Sequence, residues 1–311
     1  MMIEVALMLE GQNGLNWERW QRIAQAAEDL GFVGLYRSDH FTNPQPPDMD
    51  SLELWVSFTW LASHTKKLEF GPMVSPVSFR HPTMTVRMAS AIDDLSGGRL
   101  TLGLGAGWQE REHHNYGWPL LDLHERFVRF EEGLEVVSRL LNSDTPVEFE
   151  GKYYELHDAI LLPRPTRPGG PPILIGGNGP KKTLPLAAKY AKEWNAVFTT
   201  PEHARELNGI LDNELEKIGR AKTDVKRSLM TRVLYGKDEA SLNAKLASVG
   251  RSREELQKVG IIAGNASQVV EHIGRVAEAG AQRIMLQWIE MDDMDGLEAL
   301  AKEVLPQVQG S

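Results

Sequence analysis

One alternation constrains the fold more than anything else in the chain: a helical stretch with an apolar face, a glycine or polar break, then a short apolar strand. It first appears where Trp17, Trp20, Ile23, Ala24, Ala27 and Leu30 recur at helical spacing. Asn16 suits the N-cap there and Gly31 the residue just past the C-terminus, and the strand 32–36 follows. A second unit runs from Val86 through Ala91 and Leu95, breaks at Gly97-Gly98 and resumes as the strand 100–104. A third leads from 184–191 into 194–198. A fourth places Val269, Val270, Ile273, Val276 and Ala277 on one face, breaks at Gly280 and enters 283–287. Strand-like runs at 3–9, 67–74, 172–175 and 229–234 bring the strands to eight. Alternating β and α units with right-handed crossovers give an α/β protein whose parallel sheet is covered by helices. Eight such units suit a closed (β/α)8, or TIM, barrel. A doubly wound open sheet is the alternative, and eight units spread over the whole chain favour the barrel.

The span 1–311 reads as a single barrel domain, because no linker or low-complexity tract divides it. Two intervals exceed one helix and read as insertions at the C-terminal rim, approximately 107–170 and 236–260. The first holds a helix over 127–141, a small hairpin or excursion at 148–154 and a proline-rich end at 163–172. The chain has no cysteine, which excludes disulfides, thiolate nucleophiles, iron–sulfur clusters and cysteine-ligated zinc. A formal net charge of −9 without a basic cluster argues against nucleic acid as a partner. No apolar run approaches the roughly 20 residues of a membrane helix. The N-terminus carries Glu4 and lacks the basic start of a signal peptide, so a cytoplasmic location is expected.

Several motifs sit at strand ends, where a barrel places its chemistry. Ser38-Asp39-His40-Phe41 follows the second strand. Asp39 and His40 can act as an acid–base pair, and the plainer reading is a loop Asp and a partly buried His. Gly71 to Val77 ends the third strand, and its two prolines mark a bend or bulge. Gly103-Leu-Gly105-Ala106-Gly107-Trp108 lacks the dinucleotide spacing and reads as close backbone approach to a ligand. Glu110 and Glu112 follow, two residues apart, so a helix turns only one of them to the pocket. Gly176-Gly177-Asn178-Gly179-Pro180-Lys181-Lys182-Thr183 joins an apolar strand to a helix start, a junction whose free amides favour a phosphate. Pro180 stands where a Walker A loop has glycine, which argues against an NTPase. His113-His114 and His124 lack metal-ligand spacing and read as solvated histidines, so no metal site is expected. Trp55, Trp60, Trp118 and Trp288 fit core or pocket equally.

In this order and spacing, five pieces carry a family resemblance. They are 27–32 leading to Ser38-Asp39-His40-Phe41; Phe79-Arg-His-Pro82; Leu95-Ser-Gly-Gly-Arg99 leading to 103–108; 172–181; and Ala279-Gly280 leading to Met285-Leu-Gln287. The chain resembles the bacterial luciferase-like (β/α)8 flavin and deazaflavin oxidoreductases, above all the branch using coenzyme F420. The resemblance implies that Gly176, Gly177, Asn178 and Gly179 hold the cofactor phosphate. It implies that a bulge near Met73-Val74, carrying a non-prolyl cis peptide, backs the flavin-type ring. Asp39 and His40 would lie beside the reactive edge, with Gly105, Ala106 and Gly107 lining the same cleft. The family's sugar-phosphate dehydrogenases have a general-acid Glu where this chain has Trp108 and a pocket Trp where it has Pro44. Their phosphate-gripping Lys-His pair is also not matched at Lys258-Val259.

The expected activity is therefore hydride transfer between coenzyme F420 and a small organic substrate, and these departures argue against glucose 6-phosphate. His40 is the expected proton-transfer residue, Asp39 would tune or orient it, and Glu110 would stand in for the missing acid. The alternatives are an FMN-dependent monooxygenase and a flavin-binding protein without catalysis. A barrel lyase would need a Schiff-base lysine or metal carboxylates at strand ends, and neither is found. The resemblance also implies a homodimer.

Overall fold

A computed structural model describes residues 2–309; Met1, Gly310 and Ser311, at the ends of the expected 1–311 span, lie outside the described residues. The strands are β1 (Glu4–Leu9), β2 (Gly34–Arg37), β3 (Glu69–Pro72), β4 (Ser75–Pro76), β5 (Leu102–Gly105), β6 (Val147–Glu150), β7 (Glu155–Ala159), β8 (Ile173–Gly176), β9 (Glu193–Val197), β10 (Lys226–Tyr235), β11 (Ile262–Gly264) and β12 (Arg283–Gln287). The helices are α1 (Trp17–Asp29), α2 (Leu54–His64), α3 (Pro82–Ser96), α4 (Glu110–Asn115), α5 (Leu123–Asn142), α6 (Thr183–Tyr190), α7 (Pro201–Lys217), α8 (Glu239–Val249), α9 (Arg253–Gln257), α10 (Ala266–Glu278) and α11 (Met294–Val308). Parallel pairing runs β3-β2-β1-β12-β10-β9-β8-β5-β4. The two ends of that path belong to one stretch of chain, interrupted only at Met73-Val74, and Phe70 bridges Leu100 just ahead of β5. The sheet thus closes on itself as a (β/α)8 barrel, and all eight expected strands are present, the third split into β3 and β4.

Alternation along the strands builds two apolar regions. Val5, Leu7 and Leu9 of β1 join the large core beneath the helices. Ala6 and Met8 point the other way and meet Tyr36, Met73, Leu174, Met230 and Met285 inside the barrel. The floor of the barrel, at the N-terminal ends of the strands, is ionic. Arg283 donates to Tyr36 Oη (2.6 Å), to Glu4 (2.7 Å) and to Glu193 (3.2 Å), and it also pairs with Glu69. Burial pushes the Glu193 carboxyl up, against the pull of Arg283.

Helix α1 starts as its sequence directs. Asn16 Oδ1 accepts from the Arg19 amide at 3.1 Å, and Gly31 takes the left-handed conformation (φ 85°) just beyond the helix. Trp20, Ile23, Ala24 and Ala27 are buried, whereas Trp17 is partly exposed. Helix α5 begins four residues before the expected 127, because the Asp122 side chain caps it at the Glu125 amide. Among the described residues no helix is long and apolar enough to cross a membrane.

The two long intervals differ in kind. Helix α5 is itself the return helix between the parallel neighbours β5 and β8, so the hairpin β6–β7 springs from the opposite end of the barrel to the rim. Its tip then climbs along α5: Glu132 accepts from the Lys152 and Tyr153 amides (both 2.8 Å), and the Tyr154 hydroxyl reaches Val77 O (3.3 Å). The segment with α8 and α9 follows β10, and β11 after it pairs in parallel with Val233 to Tyr235.

Candidate active site

The strand ends gather most of the residues singled out from the sequence. Asp39, just beyond β2, is buried, and its Oδ2 accepts from Ser75 Oγ (2.7 Å) and Arg80 Nη1 (2.5 Å). Arg80 also reaches Glu53 (2.9 Å), so Asp39 fastens the loop after β2 to the segment after the bulge. No hydrogen bond links Asp39 to His40.

His40 pairs with a carboxylate from another element. Its Nδ1 lies 2.8 Å from Glu112 Oε1, and the Phe41 amide donates to Glu112 Oε2 at 3.1 Å. Glu112 is completely buried on α4. Burial alone would lower the His40 pKa; the Glu112 hydrogen bond, with the charges of Glu112, Glu10 and Asp39, outweighs it and leaves the pKa raised. Trp108 stands edge-on to the imidazole with ring centroids 5.5 Å apart, and Gln109 donates to Thr42 O at 2.9 Å beside it.

This arrangement corrects the choice of Glu110. Glu110 is exposed and borders an outer rim cleft of about 570 Å³, shared with Pro44, Trp108 and Arg111. Two residues along a helix turn the side chain by roughly 200°. The aromatic packing of Phe41 against Phe79, Tyr116 and Trp118 fixes which face of the α4 segment lies inward, and Glu112 is on it. His113 is also not solvated. It is buried, with Nδ1 2.7 Å from Gln109 O and Nε2 2.8 Å from Ser78 Oγ.

The peptide between Met73 and Val74 is cis and non-prolyl, at the expected place. Met73 N donates to Arg37 O (2.8 Å) and Val77 N to Gly105 O (3.0 Å), which ties both flanks of the bulge to neighbouring strands. The Val74 side chain lies over three glycines. Ideal β-carbons would come within 3.3 Å of it from Gly103, 2.6 Å from Gly105 and 3.2 Å from Gly176. A β-carbon on Gly103 would also overlap Pro72 O. The spacing read as close approach to a ligand is therefore explained first by close approach of the chain to itself: these glycines admit the bulge. Ala106 packs at the edge of the main core, and Gly107 O accepts from Arg126 (3.0 Å).

The glycine-rich junction between β8 and α6 opens at the same end of the barrel. The Asn178 side chain is committed to structure, with Nδ2 donating to Val197 O (2.7 Å) and Oδ1 accepting from Val197 N (2.9 Å). Gly177 N donates to Asn195 O (2.9 Å). Among the described residues, the amides of Asn178, Gly179, Lys181 and Lys182 have no backbone acceptor. Four amides at the start of α6 are thus left without a backbone acceptor, a donor set suited to an anion.

Sequence reading missed a polar arc on the opposite side of the mouth. Glu10, Gln287 and Arg232 each stand two residues beyond the inward Met8, Met285 and Met230, and so continue the inward face one layer up. Gln287 and Gln12 donate to Glu10 at 2.6 and 2.9 Å, and Arg232 reaches Glu290 at 3.3 Å. The period of two from those methionines was the signal that could have found them.

Three comparisons bear on this geometry. The family model for luciferase-like monooxygenases matches residues 2–300. The chain is 26% identical to an F420-dependent glucose-6-phosphate dehydrogenase of Intrasporangium calvum, over 91% of this chain and 92% of that one. It is 25% identical to a 4-hydroxyprotoasukamycin monooxygenase of Streptomyces nodosus subsp. asukaensis, over 96% and 88% of the two chains. The solved structure of an F420-dependent secondary alcohol dehydrogenase, in complex with an F420-acetone adduct, superposes with a TM-score of 0.88 at 19% identity, covering 100% of both chains. With the closed barrel and the family match over nearly its whole length, the chain belongs to the luciferase-like monooxygenase family.

Proposed function

We propose that the protein is an oxidoreductase that transfers a hydride between coenzyme F420 and a small organic substrate held at the barrel mouth. The observation that carries this reading is the bed formed by Val74 over Gly103, Gly105 and Gly176, beside the open amides of the β8–α6 junction. A flat ring fits against the first and an anionic tail against the second. The relatives named for F420 support the same cofactor. The amides of Asn178 and Gly179, with those of Lys181 and Lys182, would hold the phosphate, and Gly176, Gly177 and the Asn178 side chain keep that loop in place. Met73, Val74, Gly105, Ala106 and Gly107 would border the ring. When bound, F420 supplies a carbon that accepts or donates a hydride.

The chain's own residues supply orientation and a proton path. With Nδ1 engaged by Glu112, the His40 Nε2 is the nitrogen left to exchange a proton. In alcohol oxidation it accepts the hydroxyl proton, and in carbonyl reduction it returns that proton to oxygen. Asp39 acts at a distance, through its charge and its hold on the loop. Glu110 has no part in this scheme. Trp108 and Pro44 line the rim where sugar-phosphate dehydrogenases carry other residues, so glucose 6-phosphate is not the expected substrate. Our reading also makes the enzyme a cytoplasmic homodimer, which sedimentation and cell fractionation would test.

Equilibrium titration with F420 and with FMN tests the cofactor. F420 should bind at least about tenfold more tightly. Preference for FMN, together with O₂-dependent oxidation of the reduced flavin, would replace this reading with the monooxygenase one, which the Streptomyces nodosus relative favours.

A further inference from the structure

The role of Glu112 goes beyond the proposed chemistry, although its use in turnover rests on that reading. We infer that Glu112 is a positioning residue that fixes the His40 imidazole with Nδ1 protonated and Nε2 turned to the reacting atom.

A carboxylate taken fully out of water needs compensation. Glu112 obtains it from the Phe41 amide on one oxygen and from His40 Nδ1 on the other. The nearby arginines are engaged elsewhere: Arg111 with Asp48 (2.6 Å), Arg80 with Asp39 and Glu53, and Arg126 with Gly107 O. Among the described residues, His40 is the one side chain within ion-pair distance of Glu112 that can become a cation. An ionised carboxylate accepts and cannot donate, so its partner nitrogen must carry the hydrogen. That sets the neutral tautomer, as an oriented carboxylate does for other acid–base histidines. The Phe41 amide holds the second oxygen and so stops the carboxylate from rotating away.

The other charges facing His40 come from the residue just beyond β1 and from its own loop. Glu10 is fixed by Gln12 and Gln287, and Asp39 is already paired with Arg80. Both are anions and both favour imidazolium, and Glu112 alone makes a hydrogen bond to the ring among these carboxylates. Gln109 approaches the same nitrogen only to 3.5 Å and spends its amide on Thr42 O.

The test is a pH titration of the protein labelled with ¹⁵N-histidine, followed by NMR without cofactor or substrate, with H40Q assigning the resonance. In the native protein the neutral His40 should be the Nδ1–H tautomer, with a midpoint above the free-histidine value of about 6.5. E112Q should lower the midpoint by about one unit or more and mix the tautomers. E112D should keep most of both effects. An Nε2–H tautomer in the native protein, or an E112Q midpoint unchanged within about 0.3 unit, overturns the inference. The native spectrum decides the tautomer by itself, so poor folding of E112Q cannot shelter the claim. No ligand enters the measurement, so its failure leaves the hydride-transfer reading intact. Conversely, a confirmed dyad combined with full turnover in H40A would sink the role of His40 in that reading alone.

Discussion

Val74 Cγ2 occupies the space beside Gly105 so closely that a β-carbon there would lie 2.6 Å from it. Contact that short forces one partner to move, and the Val74 backbone is tied on both flanks to neighbouring strands. Gly105→Ala should cost about 1–3 kcal/mol of stability, as overpacking of a filled interior does. The displaced bulge should weaken F420 binding about tenfold or more. Urea unfolding and a binding titration read the two effects separately. Undiminished affinity in a destabilised variant would remove the bulge from the cofactor site.

His40→Ala removes the proposed proton carrier without touching the β8–α6 junction. Turnover should fall by a factor on the order of 10² or more while F420 still binds. Steady-state kinetics beside a titration checks this, and retention of full turnover contradicts it.

Asn178→Ala strips both hydrogen bonds from the Val197 backbone. The expected loss of stability is about 1–3 kcal/mol, from two bonds and two groups left without their partner. The amides of the junction should then lose their fixed geometry. Affinity for F420 should drop more than affinity for a truncated deazaflavin that lacks the phosphate. Equal losses for the two ligands would mean that the junction does not hold the phosphate.

His272 on α10 makes stability depend on pH. It is buried, its Nε2 has no partner, and burial followed by the charge of Arg275 pushes its pKa down to about 4, against a smaller opposing pull from Glu202. A histidine depressed in the fold binds its proton more tightly when unfolded, so its contribution is complete above about pH 6.5 and is lost as pH falls toward 4. Across that window the native protein should lose roughly 3 kcal/mol more than His272→Leu does. Urea unfolding of both proteins at pH 7 and pH 4 measures the difference, and parallel losses would show that His272 is not the group responsible.

The barrel was legible because its signals are local. Asn16, Gly31, the apolar face of α1 and the break at Gly97-Gly98 each act within a few residues, and a repeating unit leaves few ways to close a sheet. The site was legible in outline, through strand ends and the β8–α6 glycines, but not in its pairings. Whether Glu110 or Glu112 faced inward depended on how the α4 segment docks on Phe41 and Phe79, contacts far apart in the chain. Gly103 and Gly105 announced an empty space without saying what fills it, and Val74 does so. The hairpin β6–β7 was found, but its origin at the far end of the barrel follows from the direction of α5, which a linear pattern does not display.

The ionic floor has a kinetic corollary. Arg283 and its carboxylates seal one end of the barrel, so traffic is one-sided. On the proposed chemistry, two ligands share a single doorway, and the deeper one has to enter before the shallower and leave after it. Turnover should then follow a compulsory order, deazaflavin first and organic molecule second, and product-inhibition patterns would carry the imprint of that queue.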